Sequence, residues 1–475
     1  MRSIDAYRLN GYNSDVSRTI GKENPMKKPN ILWIITDQQS ANMMGCSGSP
    51  YINTPNIDSI ASAGVRFANA YCAQPVCAPS RFSLMTGLYP SAASVRGDKF
   101  HNSPAGLPEA VRKNGLGALL TRGGYNAVYG GKQNIPFTDC ESLGFKLLCE
   151  DERDRLAGDM ASYILNYHED KPFAMIASFI NPHDICYMAI NDSLNFGCDD
   201  RDVKNILLNG KAETENCLKA QQLPPGMDEG AFFETACPPL PDNYQPAPDE
   251  PEAISILQEE RPFKKLARQY YSDERWRIHR WAYKNLTEEA DAQIGRVLGA
   301  VRQAGLWDNT VIIFTSDHGD MDASHKMEHK ECLYQECCKV PLILKGAGAA
   351  APMQTESAVV SNGLDIFPTV LDYAGIQAPY NLEGFSLKGR VQGGVRPPER
   401  ECLVVECENG VMAVNDRYKY ARYDRGERAE QFFDLWENPG EMYNQIGDGR
   451  YREIMKRLKA AADRHQLRSS NISDN

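Results

Sequence analysis

The chain is short of positive charge. Lys and Arg number 52 against 63 Asp and Glu, for a net charge of −11. A protein that neutralises a phosphate backbone needs the opposite balance, so nucleic acid is excluded as the main partner. A small anionic substrate is not excluded, because a pocket can be locally basic on an acidic protein. Long apolar runs are also missing. Mean hydropathy is −0.49, and no segment approaches the ~20 apolar residues of a membrane span, so no membrane partner is expected. The 14 cysteines contain no Cys-x-x-Cys pair, which removes zinc-ribbon and thioredoxin-type readings. Unpatterned thiols suit a reducing setting better than a disulfide scaffold. The opening "MRSIDAYRLNGYNSDVSRTIGKENP" lacks an apolar core and does not read as a secretory signal. Residues 1–26 read as a disordered tail, or as an extension upstream of a natural start at Met26. The cytoplasm is the expected compartment, with the periplasm as the alternative if the start lies elsewhere. Internal repeats and low-complexity tracts are absent.

What is present is an alternation of strands and helices. The chain has 475 residues, 42% of them hydrophobic, enough for one large domain with an appendage or for two domains. "NILWIIT", "FAMIASFI", "VPLILKG", a stretch within "GGYNAVYGGK" and the apolar part of "TVIIFTSDHGD" are short apolar runs of the kind buried on both faces of a sheet. Thr54 with Pro55 reads as a helix N-cap and first residue, the helix running toward Gly64. Residues 279–304 and "DIFPTVLDYAGI" read as helices. Alternation to about residue 385 predicts an α/β layered domain over 27–385. Within it, 223–261 is rich in Pro and acid and too long for a plain connection, so it is a functional loop or lid, or a disordered insertion. After 395, "CLVVEC", "GVMAVN" and "YKYARY" followed by a last helix predict a small α+β unit over 395–475.

Two strands end in polar tips, one at Asp37 and Gln38 and the other at Asp317 and His318. Ligands of open α/β sheets collect at the carboxyl ends of strands. Hard oxygen donors without a thiolate cluster suit Ca²⁺ or Mg²⁺ better than zinc. Either tip alone also reads as an ordinary Asx-capped turn; the two together favour a cation. Cys77 opens "CAPSRFSLMTG" at a helix start, where dipole and free N–H groups favour an anion. Arg81 follows one turn later with a fork suited to oxyanions. A buried free cysteine in a tight turn is the plainer alternative.

The spacing Cys77-Ala78-Pro79-Ser80-Arg81, then Met85-Thr86-Gly87, resembles the sulfatase signature, and the resemblance runs from "KPNILWIITDQQ" to "FFDLWENPGEMYNQ". The family includes relatives that cleave phosphate or phosphonate esters. It implies an alkaline-phosphatase-like α/β domain with a central mixed, mostly parallel sheet and a smaller C-terminal subdomain. It implies that Cys77 is converted to formylglycine by a sulfatase-maturing enzyme, its hydrate supplying the nucleophilic oxygen. It implies a cation, usually Ca²⁺ with Mg²⁺ the alternative, at Asp37, Gln38, Asp317, His318 and the modified Cys77. Gln38 stands where many members carry a second Asp. Arg81, Lys132 and Lys330 would hold the sulfate, in keeping with cations placed where charge develops. His183 would protonate the leaving oxygen, which a histidine can do near neutral pH. Asn134 stands where many members have a histidine that helps expel sulfate, so His325 or His101 is a candidate replacement. The implied reaction is hydrolysis of a sulfate ester on a carbohydrate, in the manner of bacterial sulfatases acting on glycosaminoglycan-derived saccharides. Phosphodiester or phosphonate monoester hydrolysis and an unmatured binding protein are the alternatives.

Overall fold

The computed structural model describes residues 28–97, 106–348 and 353–473. The expected tail over residues 1–26 and the candidate His101 lie outside the described residues.

Eight strands form the main sheet: β1 (Asn30–Asp37), β2 (Val65–Tyr71), β3 (Asn126–Gly131), β4 (Lys146–Cys149), β5 (Phe173–Pro182), β6 (Thr310–Ser316), β7 (Leu342–Lys345) and β8 (Gln354–Ser361). Their order is β4-β3-β5-β1-β6-β7-β2-β8. β7 runs antiparallel to β6 and β2, and the remaining pairs are parallel. The sheet is mixed and mostly parallel, as expected.

The apolar runs form central strands because both of their faces are covered. Side chains alternate across a strand. Ile31, Trp33 and Ile35 of β1, with Val311 and Ile313 of β6, enter one core together with Ile366, Phe367 and Val370 of the helix Asn362–Ala374. Leu32 and Ile34, with Ile312 and Phe314, enter a second core against Ile294, Val297 and Leu298 of the helix Asp273–Gln303. That helix begins nearly two turns before the expected His279 because Ser272 caps it, accepting a hydrogen bond from the Arg275 N–H at 3.1 Å.

Two expected details fail. The helix Pro55–Ala61 stops short of Gly64, which leads into β2, a strand the polar alternation of "VRFANAY" concealed. Thr54 precedes the helix without capping it by its side chain. Its hydroxyl instead donates to Asp58 at 3.1 Å and accepts from the Gly45 N–H at 2.9 Å.

The C-terminal part is a four-stranded antiparallel meander, β9 (Leu403–Cys407), β10 (Gly410–Val414), β11 (Tyr418–Tyr423) and β12 (Glu430–Asp434), with the helix Arg452–Ser473 on one face. The other face packs on the main domain. Within 223–261 the helix Glu252–Glu259 inserts Ala253, Ile254 and Leu257 against Leu403, Val405 and Met412 of that face. The Pro- and acid-rich segment thus bridges the two sheets. Asn243 in the same segment accepts a hydrogen bond from the His325 N–H at 2.7 Å and donates to Glu336 at 2.8 Å.

Candidate active site

Four adjacent strands, β3, β5, β1 and β6, end side by side, because each is parallel to its neighbour. Lys132 follows β3, His183 follows β5, Asp37 ends β1, and Asp317 with His318 follows β6. The sheet itself gathers residues that the sequence keeps far apart. Gly131 permits the close approach at β3. Its φ is +86°, and a Cβ there would meet the Ser178 carbonyl oxygen at 2.0 Å. The following Lys132 N–H donates to that same oxygen at 2.9 Å.

Cys77 is the first residue of the helix Cys77–Thr86, every residue of which is buried. Its Sγ lies 3.0 Å from Lys330 Nζ, 3.1 Å from His318 Nε2 and 3.6 Å from Asp37 Oδ1. Burial, and then the Asp37 carboxylate, push the thiol up to about 12, so the unmodified side chain is a neutral thiol and not a thiolate nucleophile. Arg81 sits one turn deeper. Its Nε donates to Asp317 at 2.9 Å and one Nη to Asp37 at 3.0 Å. The other Nη donates to Ser178 Oγ at 2.9 Å and to the Lys132 carbonyl at 3.1 Å. Lys132 Nζ reaches Asp37 at 2.8 Å. Burial opposes ionisation of Asp37, but Lys132, with Arg81 and Lys330 behind it, holds that carboxyl well below the usual range. At Asp317 burial, and then Asp37, win and push it up to about 7. Two lysines and an arginine therefore converge on two carboxylates around one sulfur, an excess of fixed positive charge that favours an anion.

The donor set also fits a hard cation. Ligand atoms of Asp37, Cys77, Asp317 and His318 all lie within 4.8 Å of one another and are buried. Two carboxylates with few water contacts suit a divalent ion with oxygen ligands. His318 Nδ1 faces the Gly319 carbonyl at 2.9 Å, which leaves Nε2 as the lone-pair end toward the cluster. Gln38 adjoins the set. Its φ of 68° turns the chain at the end of β1, and its Oε1 accepts from Lys330 Nζ at 2.7 Å and from the Cys186 thiol at 3.1 Å.

His183 stands beside this group. Its Nδ1 is buried without a partner. Burial, and then Lys132 and Lys330, depress its pKa well below the ordinary histidine value. An anion between the two ammonium groups would relieve part of that effect. Asn134 is exposed, two residues beyond Lys132, with φ 41°. His325, expected beside the sulfate pocket, lies elsewhere. Its ring stacks on Tyr334 at 4.1 Å, and both ring nitrogens are buried without partners. The groups that act on its charge are Glu441, Lys419 and Arg268, none of which belongs to the cluster around Cys77. The backbone at His325 is left-handed (φ 54°).

Four residues of the site carry no sequence signal. Ser178 lies within an apolar strand, Cys186 reads as one more scattered thiol, and Asp320 reads as a turn residue. Asp184, whose carboxylate receives both Nη groups of Arg153 and the Asn216 amide, reads as a loop acid. Each is identified only by what it touches.

A buried thiol at a helix start, flanked by three cations and a hard-donor cluster on the carboxyl edge of a mixed sheet, is the arrangement of a hydrolase that handles tetrahedral anions. The comparisons narrow this. The sulfatase family model matches residues 29–376, and the model for the N-sulphoglucosamine sulphohydrolase C-terminal region matches residues 323–468. The chain belongs to the sulfatase family and is a sulfuric ester hydrolase. It is 29% identical over 470 residues to a Delta 4,5-hexuronate-2-O-sulfatase of Bacteroides thetaiotaomicron, covering 93% of this chain and 90% of that one. It is 24% identical over 504 residues to an N-acetylglucosamine-6-O-sulfatase of the same organism, covering 91% and 85%. Among solved structures, a 2-O GAG sulfatase superposes with a TM-score of 0.75 at 28% identity, covering 94% of this chain and 93% of that one. A phosphonate monoester hydrolase of Agrobacterium radiobacter shares the fold, with a TM-score of 0.69 at 20% identity over 93% and 96%.

Proposed function

We propose that the protein removes sulfate from a sulfated carbohydrate, a saccharide derived from a glycosaminoglycan, with Cys77 matured to formylglycine and a divalent cation bound. The observation that carries this reading is the position of Cys77 Sγ, 3.0 Å from Lys330 Nζ and 3.1 Å from His318 Nε2, with Arg81 one turn behind it. The relatives that are hexuronate-2-O- and N-acetylglucosamine-6-O-sulfatases support the sugar.

In this reading the aldehyde hydrate of residue 77 supplies the oxygen that attacks sulfur; Asp37, Asp317 and His318 would hold Ca²⁺ or Mg²⁺, with the Gln38 amide beside them, and the ion would supply Lewis acidity when bound. Lys132 and Lys330 bind the sulfuryl oxygens and neutralise the charge that grows on them. Arg81 keeps Asp37 and Asp317 in place and fixes the start of the helix that bears residue 77. His183 gives a proton to the departing sugar oxygen. Splitting the hydrolysis into a covalent step and a release step lowers each barrier.

The test is made on protein produced beside a sulfatase-maturing enzyme. The tryptic peptide Phe67–Arg81 carries both Cys72 and Cys77, so Cys72 is an internal control. The expected result is an alkylated Cys72 and an aldehyde at 77, with sulfate released from sulfated disaccharides and phosphonate esters left intact. Two alkylated thiols in that peptide refute the nucleophile, and faster turnover of phosphonate esters refutes the substrate class.

A further inference from the structure

The Gln38 side chain lies at the centre of the site, and its amide has two distinguishable ends. Oε1 accepts from Lys330 Nζ at 2.7 Å and from the Cys186 thiol at 3.1 Å, while Nε2 donates to Asp320 Oδ2 at 2.7 Å. The reversed amide would set Nε2 against an ammonium group and Oε1 against a carboxylate. Both ends of the network therefore demand the same orientation, which is the sound way to assign an amide. Asp320 is fully buried. Its oxygens also accept from the Asp322 N–H at 2.7 Å and the His329 N–H at 3.1 Å. It thus closes the base of the loop that carries Lys330 and at the same time decides which way Gln38 points.

We propose that Asp320 is a positioning residue for sulfate-ester hydrolysis: it locks the Gln38 amide with its oxygen toward Lys330, and so fixes the ammonium group that lies against residue 77. The inference rests on the sulfatase reading for its catalytic consequence, though not for the pairing itself. Lys330 Nζ spans Gln38 Oε1 and Cys77 Sγ, at 2.7 and 3.0 Å. Moving the amide oxygen therefore moves the ammonium relative to the reacting atoms.

The polarity of the pair can be reversed without changing its charge. Gln38→Glu alone puts a second carboxylate in bonding contact with Asp320, which two buried carboxylates tolerate only by sharing a proton. Asp320→Asn alone frees the Gln38 amide to turn over. In the double variant, which combines Gln38→Glu with Asp320→Asn, the carboxylate at position 38 still offers an oxygen to Lys330 and Cys186. The new amide at position 320 donates to its other oxygen. The His329 N–H loses its acceptor in that variant, so recovery is partial.

Melting temperatures of the four unmatured proteins read the pairing with no turnover involved. The kcat/KM of the four matured proteins on 4-nitrophenyl sulfate reads its effect on Lys330. Each single variant is expected to melt lower and to lose ~10–100-fold in kcat/KM, the scale of a small misplacement of a catalytic group. The double is expected to melt above the worse single and to regain about tenfold in kcat/KM, a coupling that independent sites do not show. Losses that simply add overturn the proposal. So does a double that regains its melting temperature but stays as slow as the worse single, because the pairing would then not serve Lys330. If Asp320→Asn alone does not fold, a folded and active double is the same rescue, and an unfolded double overturns the inference. A coupled melting cycle in a protein whose wild type hydrolyses no sulfate ester keeps the hold of Asp320 on Gln38 and removes the catalytic reading beneath it.

Discussion

Replacing Arg81 by glutamine tests the electrostatic logic of the site. The guanidinium is 1% exposed and joins two fully buried carboxylates, Asp37 and Asp317. In Arg81→Gln the shorter amide could donate to one of them but would bring no charge. Removing one partner of a buried ion pair costs about 3–5 kcal/mol, because the remaining charge is left uncompensated. The two pairs share one cation, so their losses do not sum. With about 2–4 °C per kcal/mol for a mid-sized domain, the metal-free variant should melt roughly 6–20 °C below the wild type. A divalent cation neutralises the same carboxylates. Millimolar Ca²⁺ should therefore raise the variant's melting temperature more than the wild type's and narrow the gap. Turnover should not follow: with Ca²⁺ saturating, kcat should remain ~100–1000-fold down, the usual scale for removing a preorganised group at the reacting centre. Calorimetry in a chelator and in Ca²⁺, beside a sulfatase assay, provides all three quantities. If the chelated variant melts together with the wild type, Arg81 does not hold these carboxylates and the account of the site is wrong.

Lys132→Ala and Lys330→Ala should each lower kcat/KM by ~100-fold or more while the fold survives, read by steady-state kinetics beside circular dichroism. His325→Phe should keep its stack on Tyr334 and its activity, since the ring packs on Tyr334 and makes no contact with Cys77. Burial holds the His325 imidazole down to about 4. The folded protein therefore binds fewer protons than the unfolded chain between that value and the ordinary histidine pKa, and stability is lost as pH falls through this window. The loss is of order ~3 kcal/mol, and melting temperatures at pH ~7.5 and pH ~4.5, on either side of the ordinary histidine value, should show a smaller acid loss in His325→Phe than in wild type. Ile254→Ala should cost about 2–5 kcal/mol, the price of a cavity in a closed core, because Ile254 is fully buried between the bridging segment and the C-terminal sheet. Limited proteolysis should then cut the C-terminal part first.

The carboxyl edge of the sheet was legible because β1 and β6 are unbroken apolar runs that stop at acids, and the Cys77 motif fixes its spacing locally. Lys132 and His183 were legible only through resemblance, since a lone lysine after two glycines carries no chemical signal of its own. β2, β4, β8 and β12 escaped because each is short or interrupted by polar residues, with no continuous apolar run to stand out. Ser178, Cys186 and Asp320 were invisible for a different reason: their roles are contacts across 97, 148 and 282 positions, which no local pattern encodes. The composition of 223–261 announced an unusual segment but not its task, because Pro and acid say nothing about the three apolar side chains with which it joins the two sheets. Histidine at 325 followed the family spacing, yet its ring stacks on Tyr334.

The burial of the whole Cys77–Thr86 helix sets a clock. Residue 77 is 3% exposed, beneath Lys330 and beside two strand ends, and another protein cannot grip the surrounding chain once that helix has docked. Any enzyme that modifies the thiol competes with folding, and its window closes when β1 and β6 capture the helix start. If activity requires that modification, as proposed above, the yield of active protein is governed by the ratio of two rates, maturation against collapse. Slowing synthesis or lowering the temperature should raise the active fraction, whereas adding the maturing enzyme to finished protein should not.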